Sequence, residues 1–453
     1  MNGSVETLLV VHIGVVALFL AAVAWLLWRR GLFRWDRAGF WAWFSFLLYF
    51  AINPFFALQG GDLSVYRINL ELSGGTERGL WILFVLLAGM AAFFTAYLRA
   101  HPRVITWRLR GNRVTLPMLA GGAVFALFGI YSLLTRRAQV VDTGQELVVE
   151  GGRFVGQVTG YENAGYLFLV VPLAVLLLSR SRWAQLLGWL LSGLLVFLAL
   201  PSGWSRFVLV SILIMVALAN TLKRRAAWPR WYFLPLLLVF SLALQLRGHV
   251  QWTLAGSGGA LVDLSRQVVQ DLGASISNAA ASSEVSALAT WYLGSYATEH
   301  YYGYSYGLPV VNYALTGWIP SRFFPHKYFL VDWLASQRLY LGNSATRLLY
   351  GAKSTLLGSF YNEGWLVGVI LLAALAGVLS RKLDGMLHPN APVLVRATGI
   401  AMMSVLWMVW QSSDTWGVMT LGTLAMPALV LWLFAPKVRR RRLANRVPVG
   451  VTQ

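Results

Sequence analysis

Apolar residues in this chain come in long unbroken runs, not in the short alternations of a soluble core. Runs near the roughly 20-residue length that crosses a bilayer occupy residues 8–28, 39–58, 79–98, 115–134, 164–179, 183–200, 204–220, 231–246, 356–379, 392–410 and 415–435. They predict an all-α polytopic membrane protein with about eleven transmembrane helices. Between residues 247 and 353 the pattern lapses into mixed polarity. The chain therefore divides into a membrane bundle of eight helices (1–246), a large loop (247–353), the last three helices (354–436) and a basic tail (437–453). No small-residue cleavage signature follows 8–28, which ends in Trp28-Arg29-Arg30, so that run is read as a retained span.

Composition agrees with this class. Hydrophobic residues make up 58% of the chain and charged residues only 12%, too little polar surface for a soluble domain of 453 residues. In a soluble chain the net charge of +20 would suggest nucleic acid, but here the basic residues sit in short connectors between apolar runs. If the tail is cytoplasmic, the same side receives 29–37, 99–113, 180–182, 221–230 and 381–396. Those stretches and the tail hold roughly two-thirds of the Lys and Arg, and of the acids only Asp36 and Asp384. The asymmetry predicts a periplasmic N terminus, a cytoplasmic C terminus and a periplasmic 247–353 loop in a multi-pass protein of a bacterial inner membrane, with no nucleic-acid partner. With no cysteine, the large loop is held by packing and not by disulfides.

The loop carries three features. Leu261, Leu264, Val268, Leu272 and Ile276 recur at helical spacing and predict an amphipathic helix lying on the bilayer or the bundle, so the loop is partly helical. Residues 291–306 gather Trp291, Tyr292, Tyr296, Tyr301, Tyr302, Tyr304 and Tyr306 around Glu299 and His300. Aromatic faces beside polar groups suit a sugar; an interfacial aromatic belt accounts for the same composition. Then Trp318-Ile319-Pro320-Ser321-Arg322-Phe323-Phe324-Pro325-His326-Lys327 sets two cations on a stretch stiffened by proline, fit to hold a phosphate or to rest on lipid headgroups.

Other chemistry lacks its residues. Gly351-Ala352-Lys353-Ser354 lacks the glycine spacing of a nucleotide-binding loop, and neither His-Glu-x-x-His nor any cluster of His or Cys occurs, so no metal and no cofactor are expected. The centres of the spans hold no Asp, Glu, Lys or Arg, which weighs against an ion-coupled transporter. What remains is an outward-facing set of Arg153, Arg206, Arg322, Lys327, Arg347 and Lys353 with Glu363, and guanidinium forks match the oxygens of a lipid diphosphate.

These residues carry a resemblance. Gly152-Arg153 with Gly156 and Glu162-Asn163, and Ser202-Gly203-Trp204-Ser205-Arg206 opening the seventh span, resemble the arginine-bearing loops of O-antigen and exopolysaccharide polymerases and O-antigen ligases. A large external loop, the Trp-Ile-Pro-x-Arg-x-x-Pro-x-Lys stretch, and Gly358-x-x-Tyr361-x-x-Gly364 with Gly368 follow in the order of the Wzy-type repeat-unit polymerases. Where the ligases carry a His before the equivalent Glu/Gly region, this chain has Lys353-Ser354, which favours polymerase over ligase.

The resemblance implies a GT-C-like, metal-independent glycosyltransferase of lipopolysaccharide or exopolysaccharide biosynthesis. It would transfer a growing glycan from its undecaprenyl diphosphate to the non-reducing end of a new lipid-linked unit. A chain-length regulator and a flippase of the same pathway would be its partners, beside membrane lipids. Arg153, Arg206, Arg322 and Lys327 would bind diphosphate, Glu363 would be the base with His300 second, and Tyr301, Tyr304, Tyr361 and Trp318 would meet sugar. An O-antigen ligase-like transferase, and a lipid-linked oligosaccharide flippase, stand as alternatives.

Overall fold

The computed structural model describes residues 2–60, 63–105, 107, 109, 114–142, 149–150, 153–154, 160–199, 206–231, 233, 287–316, 355–411 and 414–435. The amphipathic segment 261–276, the stretch 318–327 with Trp318, Arg322 and Lys327, the cations Arg347 and Lys353, the tail 437–453 and most of the apolar run 231–246 lie outside the described residues.

Helix dominates the described chain. In order come α1 (Asn2–Arg29), α2 (Ala38–Leu47), a π-helical turn Leu48–Ile52, α3 (Asn53–Gly60), α4 (Ser64–Leu72), α5 (Thr76–Arg99), α6 (Leu116–Asp142), α7 (Gly160–Leu178), α8 (Arg182–Ala199) and α9 (Arg206–Arg224). After them stand α10 (Ala287–Ala297), a second π-helical turn Thr298–Tyr302, α11 (Leu308–Thr316), α12 (Leu356–Met386), α13 (Val393–Gln411) and α14 (Asp414–Phe434). The exception to helix among the described residues is a minimal antiparallel pair, β1 (Val149–Glu150) with β2 (Arg153–Phe154), in which Glu150 faces Arg153.

Four described segments are long and apolar enough to cross a membrane: Ser4–Arg29, Ala38–Gln59, Thr76–Arg99 and Leu356–Met386. Shorter apolar helices cover Leu116–Tyr131, Leu167–Leu178, Val393–Leu406 and Thr420–Phe434. The protein is thus a helical membrane protein.

The most extensive packing joins α5 to α12, which run parallel along their length. On α5 the buried positions Gly79, Ile82, Leu86, Gly89, Met90, Phe93 and Tyr97 recur at three and four residues. On α12, Val369, Ala373, Gly377, Ser380 and Asp384 form the matching stripe. At Gly377 the two backbones meet: a Cβ there would stand 2.3 Å from the Phe93 carbonyl oxygen. Small residues at such a crossing let dispersion forces act between backbones where lipid supplies no hydrophobic drive.

At one end of this seam a buried carboxylate ties three elements. Asp384 is 1% exposed, and it accepts hydrogen bonds from the Tyr97 hydroxyl on α5 (2.5 Å), from Arg381 on its own helix (2.9 Å) and from the Ala38 backbone N–H (2.8 Å). The last bond caps α2, whose preceding residue Arg37 supplies no side-chain cap, with a carboxylate from a distant helix.

α13 joins this part of the bundle to the rest. It packs against α2 and α12 on one side and against α7, α9 and α14 on the other. Ala397, Ile400, Ala401, Met403, Ser404 and Val405 are all buried, as a helix surrounded by others requires. The connection between α1 and α2 meets the segment after α9 through the Trp35 N–H on the Ala227 carbonyl (3.1 Å) and Trp228 edge-on to Phe40. The basic residues around 29–37, 221–230 and 381–396 therefore gather at the Asp384 end of the bundle.

Removing the carboxylate in Asp384→Ala leaves three buried donors behind and should lower stability by about 3–5 kcal/mol. The fall in Tm of the detergent-solubilised protein measures it. Gly377→Leu should destabilise comparably. Gly193→Leu, where a Cβ meets nothing within 4 Å, should leave Tm unchanged.

Candidate functional site

At the opposite end of the α5–α12 seam, charged and aromatic side chains converge on Glu299. α10 explains how it arrives there. Leu288, Trp291, Tyr292 and Ser295 recur at helical spacing and are fully buried, and Asn69 on α4 holds the helix by donating to the Ala289 carbonyl (2.9 Å). Part of the aromatic run read from the sequence is thus core. Burial pushes the Tyr292 phenol above its ordinary range.

The helix then widens into the π-turn Thr298–Tyr302, closed by the Gly303 N–H on the Thr298 carbonyl (2.7 Å). The extra residue in the turn rotates Glu299 off the line that α-helical spacing would give it. Gly303 ends the turn at φ +67, a left-handed conformation costly to any residue with a Cβ.

The chain next runs alongside the first part of α12. That helix is broken at Gly364 and Trp365, where φ and ψ leave the helical region. The break frees the carbonyls of Asn362 and Glu363 from helical bonding, and they accept the N–H groups of Ser305 and Tyr306 (both 2.9 Å). The Glu363 carboxylate accepts the Gly307 N–H, and the Thr298 hydroxyl meets the Asn362 amide at 2.8 Å. Tyr306 and Trp365 both hold positive φ, +52 and +55. Such a backbone costs a bulky residue about 1–3 kcal/mol and persists only where its surroundings over-determine it, a situation concentrated at binding and catalytic sites.

The result is a connected polar chain. The Trp81 indole donates to the Tyr361 hydroxyl (3.0 Å), which donates to one oxygen of Glu299, while Arg78 donates to the other (2.8 Å). Arg78 and Trp81 lie in the first turns of α5, one above the other at i and i+3. The Arg78 side chain is 10% exposed, yet its Nε and Nη2 have no hydrogen-bond partner among the described residues. Such donors, buried next to a single carboxylate, can take a second anion. Glu299 keeps 22% of its side chain open.

Aromatic faces border this pair. Trp365 stacks on Trp81, which stacks in turn on Phe84, each at 5.6 Å between centroids, and Trp365 is 43% exposed. Tyr304 stands edge-on to Tyr361. Burial first, and the Glu299 carboxylate second, hold the Tyr304 phenol above its ordinary range, so it stays a neutral hydroxyl. Planar apolar faces next to fixed donors and a carboxylate are the elements that recognise a hydroxylated ring.

The sequence-derived candidates divide. Tyr361, Tyr304 and Glu363 are brought together here, with Glu363 buried and bonded to backbone. His300 is exposed and turned onto its own helix, its ring stacked on Tyr296 at 4.1 Å and Nδ1 within 3.0 Å of the Tyr296 carbonyl. Tyr301 lies in the π-turn, Arg153 in β2, and Arg206 at the first position of α9, the end of that helix away from Lys223 and Arg224. Trp318, Arg322 and Lys327 lie outside the described residues. Arg78, Trp81 and Glu299 are the additions of the fold; the sequence signals were an arginine just ahead of an apolar run and a carboxylate within the aromatic run 291–306. Among the described residues no group of three His, Asp or Glu is placed to hold a metal ion.

Arg78→Met and Glu299→Gln should each lower Tm. The double variant should be no worse than the worse single one, a coupling of about 1–3 kcal/mol in a double-mutant cycle. Additive losses would show that the two side chains act independently. Comparison of the chain with family models, with curated proteins and with solved structures finds no match.

Proposed function

We propose that this protein is a membrane glycosyltransferase that polymerises oligosaccharide units carried on a polyprenyl diphosphate. The observation that carries the reading is the Arg78–Glu299–Tyr361 cluster, in which a half-open carboxylate and a cation with spare donors lie under exposed aromatic faces. Sugar, hydroxyl and diphosphate each find a complementary group there. The resemblance to repeat-unit polymerases, carried by residues around 150–163, 202–206, 318–327 and 358–368, points to the same reaction.

In this reading the acceptor hydroxyl attacks the anomeric carbon of the donor glycan as the C–O bond to the lipid diphosphate breaks. The diphosphate departs on its lipid, and the hydroxyl proton passes to a carboxylate. Glu299 fits that task better than Glu363 because it is the more open of the two, with 22% of its side chain exposed against 6% of Glu363. Nε and Nη2 of Arg78, without a partner among the described residues, would offset charge growing on the leaving diphosphate, the point at which a preorganised donor contributes most. Arg206, at the end of α9 away from the basic connectors, and Arg153, Arg322 and Lys327 would extend the anion site.

The charge pattern supports an orientation with the Glu299 end periplasmic, the basic end and C terminus cytoplasmic, and about eleven spans in a GT-C-like arrangement in a bacterial inner membrane. The donor and acceptor would be undecaprenyl-diphosphate-linked oligosaccharides.

Purified protein given lipid-linked repeat units in detergent should yield a ladder of lipid-linked products spaced by whole units. Glu299→Gln and Arg78→Met should slow extension about 10²–10³-fold while the protein still purifies as a folded species. Wild-type rates in both variants would remove the site. Translocation of the lipid in liposomes without any extension would replace polymerase by flippase.

A further inference from the structure

A second site lies at the other end of the bundle and is independent of the reading above. Between α7, α8 and α9 a cavity of about 190 Å³ opens. Leu177, Val216 and Ala219 form its apolar wall, Trp189 its rim, and Lys223, Arg224 and Arg230 its polar side. Among the described residues no carboxylate lines it. Among the described residues neither Lys223 nor Arg224 forms an ion pair, while the Asp36 and Asp384 carboxylates at this end are taken by Arg34, Arg37 and Arg381. The Asn220 side chain also faces the cavity, its oxygen position buried and without a partner among the described residues; rotation of the amide would present a donor instead. Burial already holds the Lys223 ammonium below its ordinary range, a cost that an anion beside it would reverse.

What lies beside the cavity identifies the anion's carrier. α8 exposes Trp183, Leu186, Leu187, Leu190 and Leu194, spaced as one stripe along the helix, and Trp189 stands on the flank of that stripe. An apolar stripe of this length faces hydrocarbon, and the exposed Trp183 beside Arg182 at its basic end marks the interface level. A molecule in the cavity would have cations at one end and a lipid-facing surface running away from it.

We propose that this cavity binds the phosphate of an anionic phospholipid, whose acyl chain lies along the α8 stripe. Basic pockets between helices on one side of a membrane recognise anionic headgroups through the same combination of charge and apolar wall.

The test compares the detergent-purified full chain with added phosphatidylglycerol, with phosphatidylcholine and with inorganic phosphate. Phosphatidylglycerol should raise Tm by about 4 °C, and the other two should not. The variant Lys223→Gln/Arg224→Gln/Arg230→Gln should lose that shift, and native mass spectrometry should find about one phosphatidylglycerol fewer retained per chain. Arg224→Gln alone should weaken retention and keeps the helix end intact should the triple variant fold poorly. Equal stabilisation by phosphatidylcholine, or retention unchanged in the variants, would overturn the proposal. An equal response to inorganic phosphate would overturn the lipid assignment and leave a site for soluble phosphate.

Discussion

Everything else in this structure hangs on the seam between α5 and α12. Two parallel helices touch backbone to backbone at Gly377 and are held at either end by a carboxylate: Asp384 at the basic end, Glu299 at the other. In an apolar surrounding neither carboxylate can be left without donors, so each dictates where several other elements must go. Asp384 draws in the start of α2, and Glu299 the π-turn after α10. The spacing of the two ends is set by the length of the seam, so a change in packing at its middle reaches both.

The two ends differ in kind. Around Asp384 the Tyr97 hydroxyl, Arg381 and the Ala38 N–H all end on the carboxylate, which is closed at 1% exposure. Around Glu299 the same vocabulary of Arg, Tyr and carboxylate leaves donors over and faces open. Saturated polar clusters hold a fold together; unsaturated ones at an opening are where a ligand completes the coordination.

The apolar runs that fall on described residues are helical, because burial in lipid or in neighbours leaves long unbroken patterns; α4, α10 and α11 lie between those runs, and most of 231–246 lies outside the described residues. The polar clusters were not legible, for a physical reason. Arg78 and Glu299 are far apart in the chain, as are Tyr97 and Asp384, and nothing in either neighbourhood names the other. Asp36 and Asp384, which in the sequence only mark the acid-poor side, turn out to be buried and paired. The separation of Trp291 and Tyr292 from the outward tyrosines was available in principle, since Leu288, Trp291, Tyr292 and Ser295 keep the helical period that the π-turn then breaks. Gly364 and Gly368 stood out as a pair, and their part is local: Gly364 sits at the break in α12, and at Gly368 a Cβ would press to 2.6 Å of the Phe360 carbonyl of the same helix.

The pairing of Ser305 and Tyr306 with Asn362 and Glu363 is made by backbone groups on both sides. Side chains there can change without altering those bonds, provided the turn keeps its extra residue and the helix keeps its break. That pairing beside Glu299 is therefore specified by a path of the main chain and not by a string of letters. Proteins that share it would be recognised by superposing a widened turn on a broken helix, even where their sequences have drifted beyond alignment.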